Sequence, residues 1–205
     1  MNLRRATVLL FILLFTTRIL PAQSNLTSAP SSYAPPTADE RTQLYFSTMF
    51  GPLSWFRGAA AAGWGQLRNR PEEWGQGARG FGLRYGSAWA QMATRATITA
   101  GAAALLHEDN RYFVSEETTK RARLKYALAS TFLARSDDGS RHFSYSRIGG
   151  MAAASVISRE WQPHSTSSMR SAGLNFAVSL GTAAGFNVAR EFLPLKLRNL
   201  LKWTD

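Results

Sequence analysis

Residues 171–192 read Ser-Ala-Gly-Leu-Asn-Phe-Ala-Val-Ser-Leu-Gly-Thr-Ala-Ala-Gly-Phe-Asn-Val-Ala-Arg-Glu-Phe. Gly173, Ala177, Gly181, Gly185 and Ala189 recur every fourth residue, which at 3.6 residues per turn lays them in one narrow stripe. Leu174, Val178, Leu180, Phe186 and Val188 surround it with bulk. A glycine inside a helix costs about 1 kcal/mol relative to alanine. Three at this spacing require a compensating gain, and close approach of a second helix supplies one. The stripe therefore predicts helix packing through Gly173, Ala177, Gly181 and Gly185.

The same theme recurs upstream. Gly58 and Ala62 lie four apart in a helix expected over 52–68, a candidate partner for the late stripe. A long helical pattern over 83–106 carries Gly86 with Ala90, and Ala93 with Thr97 and Gly101; Trp89, Met92, Ala96 and Ala100 are its expected core face. A helix over 146–161 carries Gly149, Ala153 and Ile157 on one row and Gly150 and Ala154 on the next. Thr37-Ala38-Asp39-Glu40 has the spacing of a capping box and predicts a helix to about Phe50, broken by Gly51-Pro52. A further helix is expected over 119–135. Lys120, Arg121, Arg123 and Lys125 load its first turns against the macrodipole, and Glu116 and Glu117 or an anionic surface are the expected compensation. Pro163 and Pro194 bound the last long helix, Ser165–Ser168 can cap it, and Lys196–Trp203 is short and amphipathic.

No segment alternates with period two for long enough to argue a strand; Ser136–Ser140 reads as a turn and His142–Tyr145 as a short extended link. The glycines of Pro71–Gly82 lack the preceding buried strand that a phosphate-binding loop needs. They predict a tight loop with Trp74 and Phe81 tucked inward. The reading is an all-α fold, a compact bundle of five to seven helices packed through Gly/Ala rows.

Ahead of the bundle, Arg4 and Arg5 precede an apolar run over Ala6–Thr17, and Ala22-Gln23-Ser24 offers a small-x-small cleavage pattern. Residues 1–24 read as a signal peptide, 25–36 as a disordered Ser/Pro-rich lead, and 37–205 as one helical domain. The chain is strongly basic, with 24 Lys and Arg against 13 Asp and Glu; without Arg4, Arg5 and Arg18, 21 basic residues remain and the net charge is +8. For an exported protein this favours a membrane surface or anionic envelope polymer as partner, and not nucleic acid. The periplasm or cell envelope is the expected location. There is no cysteine, so disulfides and thiolate metal sites are excluded.

Ala172–Ala189 is uncharged over 18 residues, at the lower edge for a membrane span. Asn175, Ser179, Thr182 and Asn187 make it polar for that task, and Arg95 argues likewise against a span over 83–106. A soluble or peripheral bundle is the favoured reading, with homo-oligomers through the small-residue faces as one option.

The densest cluster of reactive side chains is His107-Glu108-Asp109-Asn110-Arg111-Tyr112-Phe113. His107, Asp109 and Arg111 are the candidate catalytic residues, since a carboxylate can orient an imidazole for proton transfer. Tyr112, His142 and Tyr145 are candidate ligand-binding residues. The structural alternative is that His107 caps a helix end, Asp109 pairs with Arg111, and Tyr112 and Phe113 anchor the loop. No serine elbow, HExxH pair or glycosidase-like carboxylate pattern is present; no metal and no cofactor are expected.

Gly80-Phe-Gly-Leu-Arg-Tyr-Gly86, Leu105-Leu-His-Glu-Asp-Asn-Arg-Tyr-Phe113 and Phe143-Ser-Tyr-Ser-Arg-Ile-Gly-Gly150 resemble the pattern of a group of uncharacterised exported bacterial proteins. Asn110 stands where that pattern usually has proline. The resemblance spans roughly 40–193 and implies export and a shared fold; no activity comes with it. Two functions follow as expectations: a non-enzymatic envelope protein with a structural or binding role, or a small exported hydrolase or ligand-binding enzyme built on the His107–Asp109–Arg111 turn.

Overall fold

The computed structural model describes residues 33–193. The expected signal peptide, most of the lead, Pro194 and Lys196–Trp203 lie outside them. Six helices form the bundle: α1 (Ala38–Phe50), α2 (Pro52–Leu67), α3 (Gly77–Leu105), α4 (Lys120–Ala129), α5 (Tyr145–Ile157) and α6 (Met169–Phe192). Single 3-10 turns occupy Glu72–Trp74 and Ser158–Glu160, and one antiparallel hairpin pairs β1 (Leu133–Arg135) with β2 (Arg141–Phe143). The all-α reading holds. α3, about 43 Å long at 1.5 Å per residue, is the axis; α1, α2 and α5 pack against it, and α6 packs against α4 and α5.

Local chemistry sets most boundaries. At α1 the capping box is complete: Thr37 Oγ1 accepts from the Glu40 amide at 3.2 Å and Glu40 Oε2 from the Thr37 amide at 2.8 Å. Ser144 and Ser168 cap α5 and α6 through their hydroxyls.

α3 begins at Gly77, six residues before its expected start. Arg84 is the cause. It is 4% exposed and donates to the carbonyls of Arg70 (2.8 Å), Pro71 (2.8 Å) and Gly75 (2.7 Å) and to Gln66 Oε1 (2.8 Å). That winds the 70–75 loop around the first turns of α3. Gly80 passes so close to the Gly75 carbonyl that no side chain fits there. With the helix starting early, Phe81 turns outward and is exposed, against the expectation that it tucks in.

The helix expected over 119–135 stops at Ala129, and its last residues form β1. Three-residue strands are too short for alternation to show in a sequence. Asp109 extends the hairpin by exchanging amide bonds with Arg135 at 2.8 and 3.0 Å. The lead is ordered sooner than expected: Pro36 is buried, and the Tyr33 ring meets Phe113 edge-on at 5.8 Å.

The glycine stripe of α6 packs against none of the described residues. Gly173, Ala177, Gly181 and Gly185 are all exposed, and a methyl group at any of the three glycines would meet none of the described residues within 4 Å. Polar anchors set the rotation of α6 instead. Asn187 Nδ2 donates to Thr131 Oγ1 at 3.1 Å, and Glu191 accepts from Tyr112 Oη (2.6 Å), the Ser115 amide (3.1 Å) and Arg123 Nε (2.7 Å). Small-residue packing does occur, but on other helices. Gly58 abuts the Tyr85 ring, 3.1 Å from where a Cβ would stand, and Gly150 lies flush on Thr99. The partner of α2 is therefore α3, not α6.

Among the described residues the buried apolar side chains are seven alanines and three methionines: Ala62, Ala96, Ala103, Ala127, Ala134, Ala154, Ala172, Met49, Met92 and Met151. Large side chains stand outside, among them Phe46, Phe50, Trp55, Phe56, Trp64 and Leu174. Helices so closely drawn leave little room for bulk between them.

Candidate functional site

Five helices and the loop after α3 line an open cavity of about 320 Å³, of ligand-pocket size. Its wall carries six arginines: Arg41 from α1, Arg57 from α2, Arg95 from α3, Arg111 from the loop, Arg147 from α5 and Arg190 from α6. Leu44, Ala96, Ala100, Met151, Ala183 and Phe186 supply apolar wall, and Tyr45, Thr99, Thr182 and Asn187 supply polar groups.

Among the described residues two carboxylates line it, and both are committed. Glu108 is 1% exposed and caps the start of α5, accepting from the amides of Tyr145 and Ser146 at 3.0 Å each and from the Ser146 hydroxyl at 2.5 Å. Asp109 is 3% exposed and grips Arg111, accepting from Nε at 3.0 Å and Nη2 at 2.9 Å; the Tyr33 hydroxyl donates to it at 3.3 Å. Burial, then the Asp109 charge, pushes the Tyr33 hydroxyl up to about 12.

The arginines have unequal duties. Arg41 donates to the Glu108 carbonyl at 2.9 Å. Arg147 gathers the carbonyls of Ser130 (2.6 Å), Thr131 (3.2 Å) and Asn110, tying the hairpin to α5; burial, helped by Arg190, lowers it to about 10. The Arg57 guanidinium lies 4.1 Å over the Phe186 ring. Arg95 differs: it is half-buried in mid-α3, and among the described residues it has no ion pair or hydrogen bond. Burial alone lowers its pKa, with no carboxylate opposing. A desolvated guanidinium without a counter-charge costs stability unless something anionic comes to it.

The expected catalytic residues do not converge. Asp109 and Arg111 line the cavity, but His107 is outside it, its Nδ1 2.9 Å from Asp137 Oδ2 at an exposed site. His107 takes a positive φ of 55°. Of the expected ligand-binding residues, Tyr112 lines the cavity, with its hydroxyl on Glu191; burial, then that bond, raises its pKa. His142 and Tyr145 lie on the hairpin side, Tyr145 edge-on to Phe143 at 5.2 Å. The charge that answers the basic start of α4 is Glu191, through Arg123, rather than Glu116 or Glu117.

Sequence reasoning missed the arginine set. Its trace was present: Arg57 is the single charge of its helix, and Arg95 stands alone among uncharged residues from Tyr85 to Leu106. No known family model, curated protein or solved structure matches this chain.

Proposed function

We propose that this chain is an exported, non-enzymatic binding protein that holds a carboxylate- or phosphate-bearing ligand in the arginine-lined cavity. The observation that carries the reading is Arg95, a half-buried cation facing the cavity without a counter-charge among the described residues. A guanidinium offers paired N–H donors that match a carboxylate or phosphate oxygen pair, and a low-polarity wall strengthens the bond. Arg57 and Arg190 add to the field around the same space. The hydrolase alternative has weaker support. Among the described residues the cavity wall contains no histidine, lysine or cysteine, and the two carboxylates on it already hold structural partners.

Thermal unfolding with inorganic phosphate or succinate as probe tests this. A probe that binds the folded state raises Tm saturably, by roughly 5–10 °C at a hundredfold excess over Kd. Arg95→Gln abolishes the rise while its own unliganded Tm stays equal or increases, because an uncompensated buried charge has gone. An equal rise in the variant, or none for either anion with the wild type, rejects the proposal.

A further inference from the structure

The outer face of α2 runs without a charge from Pro52 to Leu67. Trp55 (52%), Phe56 (69%), Trp64 (61%) and Leu67 (84%) are exposed, with Ala59 and Ala60 between them. The one arginine of this helix, Arg57, points inward to the cavity. A surface helix of a water-soluble bundle has the opposite polarity. The patch continues onto α1, where Phe46 and Phe50 are exposed and stack at 6.2 Å; Trp55 Nε1 donates to the Phe50 carbonyl at 3.1 Å, which joins the two helices into one surface. A continuous apolar patch of this kind marks an interaction surface.

Its rim is basic. The Arg68 guanidinium lies 4.6 Å over the Trp64 ring, Arg70 is exposed, and no Asp or Glu occurs between Glu40 and Glu72. A second copy related by a two-fold axis would bring these arginines towards their own counterparts, which like charge opposes. An anionic bilayer offers phosphate to the arginines and an interfacial layer that tryptophan favours. No described helix is long and apolar enough to cross a membrane.

We propose that the α1–α2 face docks on an anionic lipid bilayer, with α2 lying in the interfacial plane. Trp55, Phe56 and Trp64 enter the headgroup boundary, and Arg68 and Arg70 meet lipid phosphates. The surface is separate from the cavity, so each reading can fail alone.

The test is co-sedimentation of the full-length gene product, purified as the cell delivers it, with phosphatidylcholine vesicles that contain or lack phosphatidylglycerol. The wild type partitions onto the anionic vesicles about tenfold more strongly than onto the neutral ones, and added salt narrows the difference. Arg68→Glu with Arg70→Glu, both at exposed positions, removes the anionic preference. Phe56→Asp with Trp64→Asp lowers partition about tenfold on either vesicle, with circular dichroism checking the fold. Should the aspartate variant not fold, the arginine pair still decides. Arg95→Gln leaves partition unchanged. Equal partition of the wild type and the arginine variant overturns the proposal. So does absence of vesicle binding together with a dimer in light scattering that Phe56→Asp dissociates, which would assign the face to a second copy.

Discussion

At Gly150 on α5 a methyl group would run into Thr99 of α3; at Gly181 on α6 it would meet none of the described residues within 4 Å. Both glycines belong to small-residue rows of the same spacing, in helices of similar composition. One is small because a neighbouring backbone is there. The other faces outward, and no neighbour among the described residues explains its size. Small-residue spacing therefore reports that a helix can be approached closely, not that it is.

The two sides of α6 sharpen the contrast. Its inner side is held by Glu191, 1% exposed and bound to Tyr112, Ser115 and Arg123. The largest expected loss is there. Glu191→Ala leaves Arg123 and the Tyr112 hydroxyl without their shared acceptor and costs about 3 kcal/mol in urea unfolding. The pH dependence has a definite sign. Burial pushes the Glu191 carboxyl up, but the bonds from Tyr112 and Arg123 outweigh it and hold the group below its ordinary value. A depressed carboxylate contributes stability that is full above its unfolded pKa and is lost as pH falls through the folded one. Stability of the wild type should therefore fall below about pH 4.5. Glu191→Gln should flatten that acid limb, and an unchanged acid limb would remove Glu191 from the account.

Next in size is Gly150→Ala, expected to cost about 2 kcal/mol by overpacking against α3. Thr99→Ala in the same chain should recover part of that loss, and additive effects of the two substitutions would show that no contact joins them. Smallest, and opposite in sign, are Gly181→Ala and Gly185→Ala. Each should stabilise by up to about 1 kcal/mol, since alanine gains helix propensity where nothing obstructs it. A loss at either position would mean that the stripe packs against something after all, and would restore the original reading of α6.

Much of the fold was legible because it is written in local chemistry. The Thr37–Glu40 capping box, the Gly51-Pro52 break and the helix through Arg95 each depend on residues a few positions apart. The turn at Ser136–Gly139 was legible for the same reason, but the hairpin around it was not, because its strands are three residues long. The site was half visible. The Leu106–Phe113 turn was singled out and does line the cavity, through Glu108, Asp109, Arg111 and Tyr112. The role expected of it was catalytic, and what it supplies is mostly structural: Glu108 caps α5, and Asp109 holds Arg111.

By itself, then, the order of residues determined where some helices start and break, that the domain is helical, and that the chain is basic. These are properties of neighbours along the chain. Which way each helix faces was decided only in three dimensions, by bonds between groups 50 to 80 positions apart, such as Asn187 to Thr131 and Glu191 to Tyr112. Those bonds turned the glycine stripe outward. The same assembly brought arginines from five helices and one loop to a single cavity. A helical period records that a side chain shares a face with its neighbours; only the packing of the other helices says what that face will see.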